Sequence, residues 1–163
     1  MKQVMMALIC ASSIFSGVAG QQTKLILTQE QNDRWIDSLT TLPLEGKIIM
    51  IKERLLSDTN IFIHHVDVHG TINEQTGNRV RGKCRPLIIV NEREIDIANN
   101  TKDSKILALT KLLTKEHIAK IVVLKGILQL TTAIYGTQAQ SGVILITLAK
   151  KKYMRAFKRL KLV

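Results

Sequence analysis

The chain has 163 residues, which gives room for one ordinary domain or for one domain with a small annex. Hydrophobic residues make up 45% of it, enough to build a core, and its two prolines and nine glycines exclude a collagen-like or low-complexity chain. The net charge is +11, but Lys2 and the seven cations of residues 150–163 supply eight of these charges. Residues 21–149 therefore carry only +3, so the basic character belongs to the C-terminal end of the chain.

Residues 1–20 have the pattern of a secretory signal peptide. A positively charged start precedes a mostly apolar, uncharged stretch over residues 4–15, and Val18 and Gly20 are the small residues before a cleavage site at Gln21. The apolar stretch is shorter than the ~20 residues that a membrane-spanning helix needs. We therefore expect a cleaved signal peptide and a protein exported to the periplasm or to the periplasmic face of the outer membrane.

Residues 21–60 are predicted to form a helical hairpin. Thr28 begins a capping-box pattern at the start of the first helix, and Pro43 ends that helix because the residue before a proline is pushed out of the helical region. Apolar residues recur at helical spacing from Pro43 to about Leu56, which predicts the second helix, and polar residues after it mark its end.

Residues 61–84 are predicted to form a β-hairpin. Apolar and polar residues alternate after Ile61, residues 74–78 are of the types that form turns, and a second short run returns to Lys83. The expected connection between the two strands is therefore a tight turn, which joins antiparallel strands.

Three polar residues of the first predicted strand, His65, Asp67 and His69, alternate along the chain and so share one face. Histidine and carboxylate side chains bind zinc, which makes these residues candidates for a metal site. Side chains two apart in a strand are separated by ~6.6 Å, so three of them on one ion need distortion and a fourth ligand. We favour the alternative, the solvated face of an amphipathic strand, and expect no cofactor.

From Pro86 onwards, short runs of β-branched residues alternate with helical spacing. Residues 143–146 are apolar on both faces, which predicts a sheet covered on both sides by helices. The expected fold class is α/β (α+β): a small mixed sheet with flanking helices, preceded by the helical hairpin and the β-hairpin. The predicted elements are strands at residues 87–90, 120–124 and 142–148, a helix over residues 104–113, a helix that ends at Gly136 and a polar loop at residues 138–141.

The same region contains four motifs in a fixed order: R-P-L-I-I-V-N from Arg85, H-I-A-K-I-V-V-L-K-G from His117, T-A-I-Y-G from Thr132 and S-G-V-I-L-I-T-L-A-K from Ser141. In composition and spacing they resemble the plug domain of TonB-dependent outer-membrane receptors of the saccharide-uptake type. The resemblance covers residues 85–151. It implies a structural role for the motif residues Pro86, Val123, Leu124, Lys125, Ala133, Ile134, Tyr135, Gly136, Gly142, Val143, Ile144, Ile146 and Thr147.

The resemblance implies a non-enzymatic interaction module that binds an envelope protein, an outer-membrane receptor barrel or a ligand. A barrel wide enough to hold a plug needs ~22 strands of ~10 residues, more than the chain contains, so we expect a plug-like domain without its own barrel. Two places depart from the plug pattern: Asn91-Glu92 replaces the usual Asp-Gly after the first strand, and Ser141 replaces an Asn. No serine, cysteine or carboxylate pair stands in a recognisable catalytic setting, so no enzymatic activity is expected.

Residues 152–163 are predicted to form a basic amphipathic tail. The tail can rest on an anionic membrane surface or on lipopolysaccharide phosphates, both of which attract basic segments, and the alternative is a frayed, solvated helix. Nucleic acid is not an expected partner, because the signal peptide directs the chain to another compartment. We expect removal of the segment from residue 150 onwards to leave the fold intact. The candidate surface-binding residues are Lys150, Lys151, Lys152, Arg155, Lys158, Arg159 and Lys161.

Overall fold

The computed structural model shows a mixed α/β fold, as the sequence predicts. The chain forms a four-stranded mixed sheet, a two-stranded sheet, and helices before, between and after the strands. The predicted signal peptide and the metal-site candidates His65, Asp67 and His69 lie outside the described part of the chain. The structure describes residues 25–63, 80–82, 84–95, 97, 103–126 and 133–162.

The N-terminal pair of helices forms where the sequence predicts it. Helix α1 (Gln29–Thr41) begins at the predicted capping box: the Gln31 N–H donates to Thr28 Oγ1 at 3.3 Å, and the Thr28 N–H donates to Gln31 Oε1 at 3.2 Å. These bonds satisfy donors that the start of a helix leaves without a partner. Helix α2 (Leu44–Asp58) follows Pro43, whose extended conformation separates the two helices.

The region predicted as a β-hairpin forms a pair of parallel strands instead. Strand β1 (Ile61–Ile63) pairs with strand β2 (Val80–Gly82), and Ile61 lies opposite Val80. Parallel strands need a connection of roughly a dozen residues or more, because the chain must return to the same end of the sheet before it pairs again. An antiparallel hairpin of β1 with β2 is therefore excluded. The alternation of apolar and polar residues predicts the strands but contains no information about their direction.

Four strands form the main sheet, and four helical elements accompany it. Its order is β4-β3-β6-β5, so β6 is a central strand, parallel to β3 and antiparallel to β5. The sheet thus brings together the strands of three separate motifs. In chain order the elements are β3 (Leu87–Val90), β4 (Arg93–Glu94), α3 (Asp103–Leu112), β5 (Ile118–Leu124), α4 (described at residues 133–135), the 3-10 helix η1 (Thr137–Ser141), β6 (Val143–Leu148) and α5 (Lys151–Arg159).

The two faces of the main sheet are covered to different extents. Ile144 of β6 belongs to the main core, together with residues of α1, α2, α3 and α5. Val143 belongs to a second, small core that contains Ala139 of η1 and against which Tyr135 of α4 packs. Thr147 lies on the same face as Val143 but is exposed. The prediction of a sheet covered on both sides is thus confirmed at the start of β6 and is wrong near its end.

The segment predicted as a polar loop, residues 138–141, lies within η1. Two backbone bonds span three residues each, as in a 3-10 helix: the Ala139 N–H donates to Gly136 O at 3.2 Å, and the Gly142 N–H donates to Ala139 O at 2.9 Å. Ala139 is fully buried in the small core. One small apolar side chain among polar neighbours therefore fixes this segment against the sheet.

Gly136 and Gly142 are the glycines of the third and fourth motifs, and they have positive φ angles of 72° and 96°. Residues with a Cβ rarely adopt this backbone region. A Cβ on Gly142 would lie 3.0 Å from Ile36 Cδ1, whereas a Cβ on Gly136 would have no atom within 4 Å.

We expect Gly136→Ala to lower the free energy of unfolding by about 1–3 kcal/mol through backbone strain alone, and Gly142→Ala to lower it by more. The additional loss at Gly142 comes from the close approach of Ile36. Urea unfolding of the two variants measures both losses. A smaller loss for Gly142→Ala than for Gly136→Ala would contradict the packing around Ile36.

Candidate functional site: a basic helix anchored in the core

Helix α5 buries its apolar side in the main core. Phe157 is 2% exposed, and Leu162, just after the helix, is 4% exposed. Tyr153 and Met154 are half-buried and pack against the same cluster. An apolar stripe on a helix has to be covered, and here the body of the protein covers it. The expectation of a frayed or removable tail is therefore wrong, because Phe157 and Leu162 are part of the core.

The opposite side of α5 carries exposed cations. At ~100° per residue, the five cations of the helix fall within an arc of about 120°. Two further cations flank the helix, one on each end, and all seven side chains are exposed. We call this surface the basic face of α5; its residues are Lys150, Lys151, Lys152, Arg155, Lys158, Arg159 and Lys161.

No cation of the basic face forms an ion pair with another described residue. The five ion pairs of the described chain involve other side chains, such as Lys115 Nζ and Glu45 Oε1 at 2.6 Å. Lys152 Nζ lies over the ring of Tyr153, 4.8 Å from its centroid. These cations have no acidic partner among the described residues, and all carry the same sign. Their electrostatic fields therefore add and attract anions to this surface.

The cations at the start of α5 occupy positions that helix formation does not favour. The N-terminus is the positive end of the helix dipole, and a charge near either end of a helix changes its stability by roughly 0.3–1 kcal/mol. Lys151 and Lys152 lie in the first turn without an acidic residue, and the N-cap residue Lys150 forms no side-chain cap bond. Lys158 and Arg159 lie in the last turn, where the dipole favours cations. Helix stability therefore accounts for the last pair but not for the first three.

Both ends of α5 are fixed to the body of the protein. Before the helix, the Ala149 N–H donates to His117 O at 2.7 Å, and the rings of His117 and Tyr153 pack with their centroids 3.9 Å apart. After the helix, Lys105 Nζ donates to Lys161 O at 2.9 Å. Sequence reasoning missed the contact of His117 with Tyr153, because His117 lies in the second motif and nothing local relates it to α5.

The plug-like motif residues lie in the main sheet or beside it. Pro86 is buried just before β3, and Lys125 Nζ, after β5, lies 2.5 Å from Asp37 Oδ1 of α1. Ile134 is 63% exposed, while Tyr135 packs against the small core. Their contacts are those of structural residues. The other motif residues are Val123 and Leu124 in β5, Ala133 and Gly136 at α4, Gly142 before β6, and Val143, Ile144, Ile146 and Thr147 within β6.

Reactive residue types form no evident site in the described part of the chain. No group of three or more histidine, cysteine and acidic side chains is arranged there to hold a metal ion. Because His65, Asp67 and His69 lie outside that part, the expectation that they form a solvated strand face and not a metal site stays a prediction. Cys84 is 5% exposed, and burial raises the pKa of its thiol, which keeps the sulfur protonated and weakly nucleophilic.

A buried charge cluster connects α2 to the segment before β3, and sequence reasoning missed it. Arg54 Nε lies 2.8 Å from Asp58 Oδ1, and both side chains are at most 1% exposed. Arg85 Nε lies 3.6 Å from Asp58 Oδ2, and Arg85 Nη2 donates to the carbonyls of Asp58 and Ile61 at 2.9 Å. Burial raises the pKa of the Asp58 carboxyl, and the two guanidinium groups oppose that shift. The cluster joins two segments of the fold, with Arg54 and Asp58 enclosed and the Arg85 side chain 11% exposed.

Comparison with known proteins identifies no relative of this chain. No protein-family model, no curated protein and no solved structure matches the chain. The resemblance to plug domains therefore rests on the four motifs alone. Among the helices of the described residues, none is long and apolar enough to cross a membrane.

Proposed function

We propose that this protein is an exported, non-enzymatic interaction module with a plug-like domain, held at an anionic surface of the cell envelope by the basic face of α5. One observation carries this proposal. The apolar side of α5 is part of the core, while its cationic side is exposed and has no ion pair with a described residue. The plug resemblance implies an envelope protein or a receptor barrel as partner, and the basic face specifically favours an anionic one.

Helix stability accounts for the cations in the last turn of α5 but not for the rest of this concentration of charge. Like charges three or four positions apart on a helix destabilise it by roughly 0.2–0.5 kcal/mol per pair. Arg155 has four such neighbours: Lys151, Lys152, Lys158 and Arg159. An anionic partner cancels this repulsion, so the helix gains stability when the partner binds. A binding role therefore explains an arrangement that costs the free protein stability.

The proposal predicts that the basic face decides whether the protein associates with the envelope. Each cation near an anionic surface contributes ~1 kcal/mol at moderate salt, so three of them contribute ~3 kcal/mol. We expect the triple variant Lys151→Gln, Arg155→Gln, Lys158→Gln to move from the membrane fraction to the soluble fraction when envelope membranes are sedimented. The substituted side chains are exposed, so the fold is unaffected and circular dichroism is expected to be unchanged.

A matched control removes the same number of charges elsewhere. Lys52→Gln, Arg93→Gln and Lys120→Gln lie on α2, β4 and β5, and none of the three is ion-paired to a described residue. We expect this control to sediment with the membranes like the unmodified protein. Equal sedimentation of the two triple variants would show that total charge, and not the basic face, governs association, and would refute the proposal.

A further inference from the structure

We infer that the partner of the basic face is an anionic phospholipid bilayer, on which α5 lies flat, with its cations at the headgroup phosphates and its apolar side chains still in the protein core. This inference rests on the proposed function and names the surface involved. It departs from the usual membrane-surface helix, which buries its own apolar face among the lipids.

The shape of the basic face fits a plane. Helix α5 has nine residues and is therefore about 13.5 Å long at a rise of 1.5 Å per residue. Its five cations lie within an arc of about 120° along that length, so flexible side chains from both edges of the arc reach one flat surface. Lys150 and Lys161 extend the same charge beyond the two ends of the helix. A planar layer of phosphates can therefore neutralise the five helix cations at once.

Insertion of α5 is excluded by its packing. Phe157 is buried in the main core, and Tyr153 and Met154 pack against it. Moving these side chains into lipid would open the core that covers the main sheet. The bonds that fix Ala149 and Lys161 to the body also hold the helix in place. The cations are therefore preorganised on a rigid support, and binding requires little ordering of the chain.

The composition of the face favours a lipid surface over an acidic protein. The cores of protein interfaces are enriched in aromatic residues and depleted in lysine. On the basic face, five of the seven cations are lysines, and the aromatic side chains of α5 point into the protein. Lysine acts as a compact point charge without the planar fork of arginine, which suits a fluid layer of phosphates better than a fixed carboxylate pattern.

The test uses the full mature chain and vesicles of phosphatidylcholine with or without phosphatidylglycerol. We expect binding to the vesicles that contain phosphatidylglycerol at ~0.01 M ionic strength, where charges interact over ~30 Å, and release at ~1 M, where the range falls to ~3 Å. The triple variant Lys151→Gln, Arg155→Gln, Lys158→Gln is expected to bind roughly 100-fold more weakly. The charge-preserving variant Arg155→Lys, Arg159→Lys is expected to bind within about twofold of the unmodified protein, because only the charge matters.

The outcomes separate the inference from the proposed function. Failure of the unmodified protein to bind phosphatidylglycerol vesicles would overturn the inference. If envelope sedimentation still depended on the basic face in that case, the proposed function would stand and an acidic protein would be the partner. Binding that survives ~1 M salt would also overturn the inference, because it would indicate insertion of apolar side chains. A large loss of vesicle binding in the variant Arg155→Lys, Arg159→Lys would also overturn the inference. It would indicate a specific site that needs the bidentate guanidinium groups.

Discussion

Phe157→Ala is expected to lower the free energy of unfolding by about 3–5 kcal/mol, the usual cost of truncating a phenylalanine in a core. Phe157 is 2% exposed and is the one residue within α5 that is buried. It packs in the cluster that also contains Ile106 and Leu109 of α3 and Leu148 of β6. Its loss removes apolar contacts between α5, α3 and the sheet, so the effect should be large although the residue lies only six positions from Val163.

Urea unfolding followed by circular dichroism measures this loss. The neighbouring substitution Lys158→Gln is the control, because Lys158 is exposed and a surface change of this kind is usually within ±0.5 kcal/mol. Deletion of residues 150–163 removes both Phe157 and Leu162 and is expected to destabilise the fold further. A loss below ~1 kcal/mol for Phe157→Ala would contradict the placement of α5 in the core.

Ile144→Ala and Val143→Ala are both expected to destabilise the protein, although their side chains point to opposite faces of β6. Both residues are fully buried, Ile144 in the main core and Val143 in the small core with Leu87 and Ala139. The expected loss is about 2–5 kcal/mol for Ile144→Ala. It is about 1–3 kcal/mol for Val143→Ala, because the side chain is smaller and the small core has fewer members.

Thr147 provides the control on the same strand. It lies on the same face as Val143 but beyond the cover provided by η1 and α4, and it is exposed. Thr147→Ala is therefore expected to change the free energy of unfolding by no more than ~0.5 kcal/mol. Urea unfolding of the three variants gives the pattern directly. A negligible loss for Val143→Ala would mean that the second face of the sheet is open along its whole length.

The elements that the sequence predicts well are those fixed by local signals. The capping box at Thr28 and the proline at residue 43 correctly place both ends of α1 and the start of α2, whereas α2 ends at Asp58, two residues beyond the predicted Leu56. The β-branched run at residues 87–90 predicts β3 with the bounds that the structure has. In each case a few neighbouring residues determine the backbone conformation. The element can therefore be predicted without knowledge of its contacts with distant segments.

The predictions that failed depend on contacts between distant segments. The pairing of β1 with β2 is parallel, and strand direction is set by the path of the chain between the strands. The stripe of apolar residues on α5 is the same for a helix that lies on a membrane and for one that packs on a sheet, because periodicity shows which side is apolar but not what covers it. The basic face could therefore be predicted residue by residue, whereas its anchorage in the core could not.

The buried charge cluster also depends on contacts between distant segments, which the sequence does not reveal. Arg54 and Asp58 are four positions apart on α2, a spacing that is common for ion pairs on exposed helix surfaces. Arg85, far along the chain, approaches Asp58, and the centroid of the Trp35 ring of α1 lies 5.3 Å from the Arg54 guanidinium carbon. Sequence spacing predicts that the first two side chains meet, but their burial follows from the tertiary fold.

The most direct test of the account compares binding and stability in two variants of one helix. Lys151→Gln, Arg155→Gln, Lys158→Gln changes only the basic face, and the milder core substitution Phe157→Leu changes only the buried side. We measure vesicle binding at a temperature at which both variants are fully folded, and the urea midpoint of each. The account predicts roughly 100-fold weaker binding without loss of stability for the first variant, because its substitutions relieve like-charge repulsion on the helix, and unchanged binding with lower stability for the second. If Phe157→Leu weakened binding as much as the charge variant did, the two sides of α5 would not have separate roles, and the central claim would be wrong.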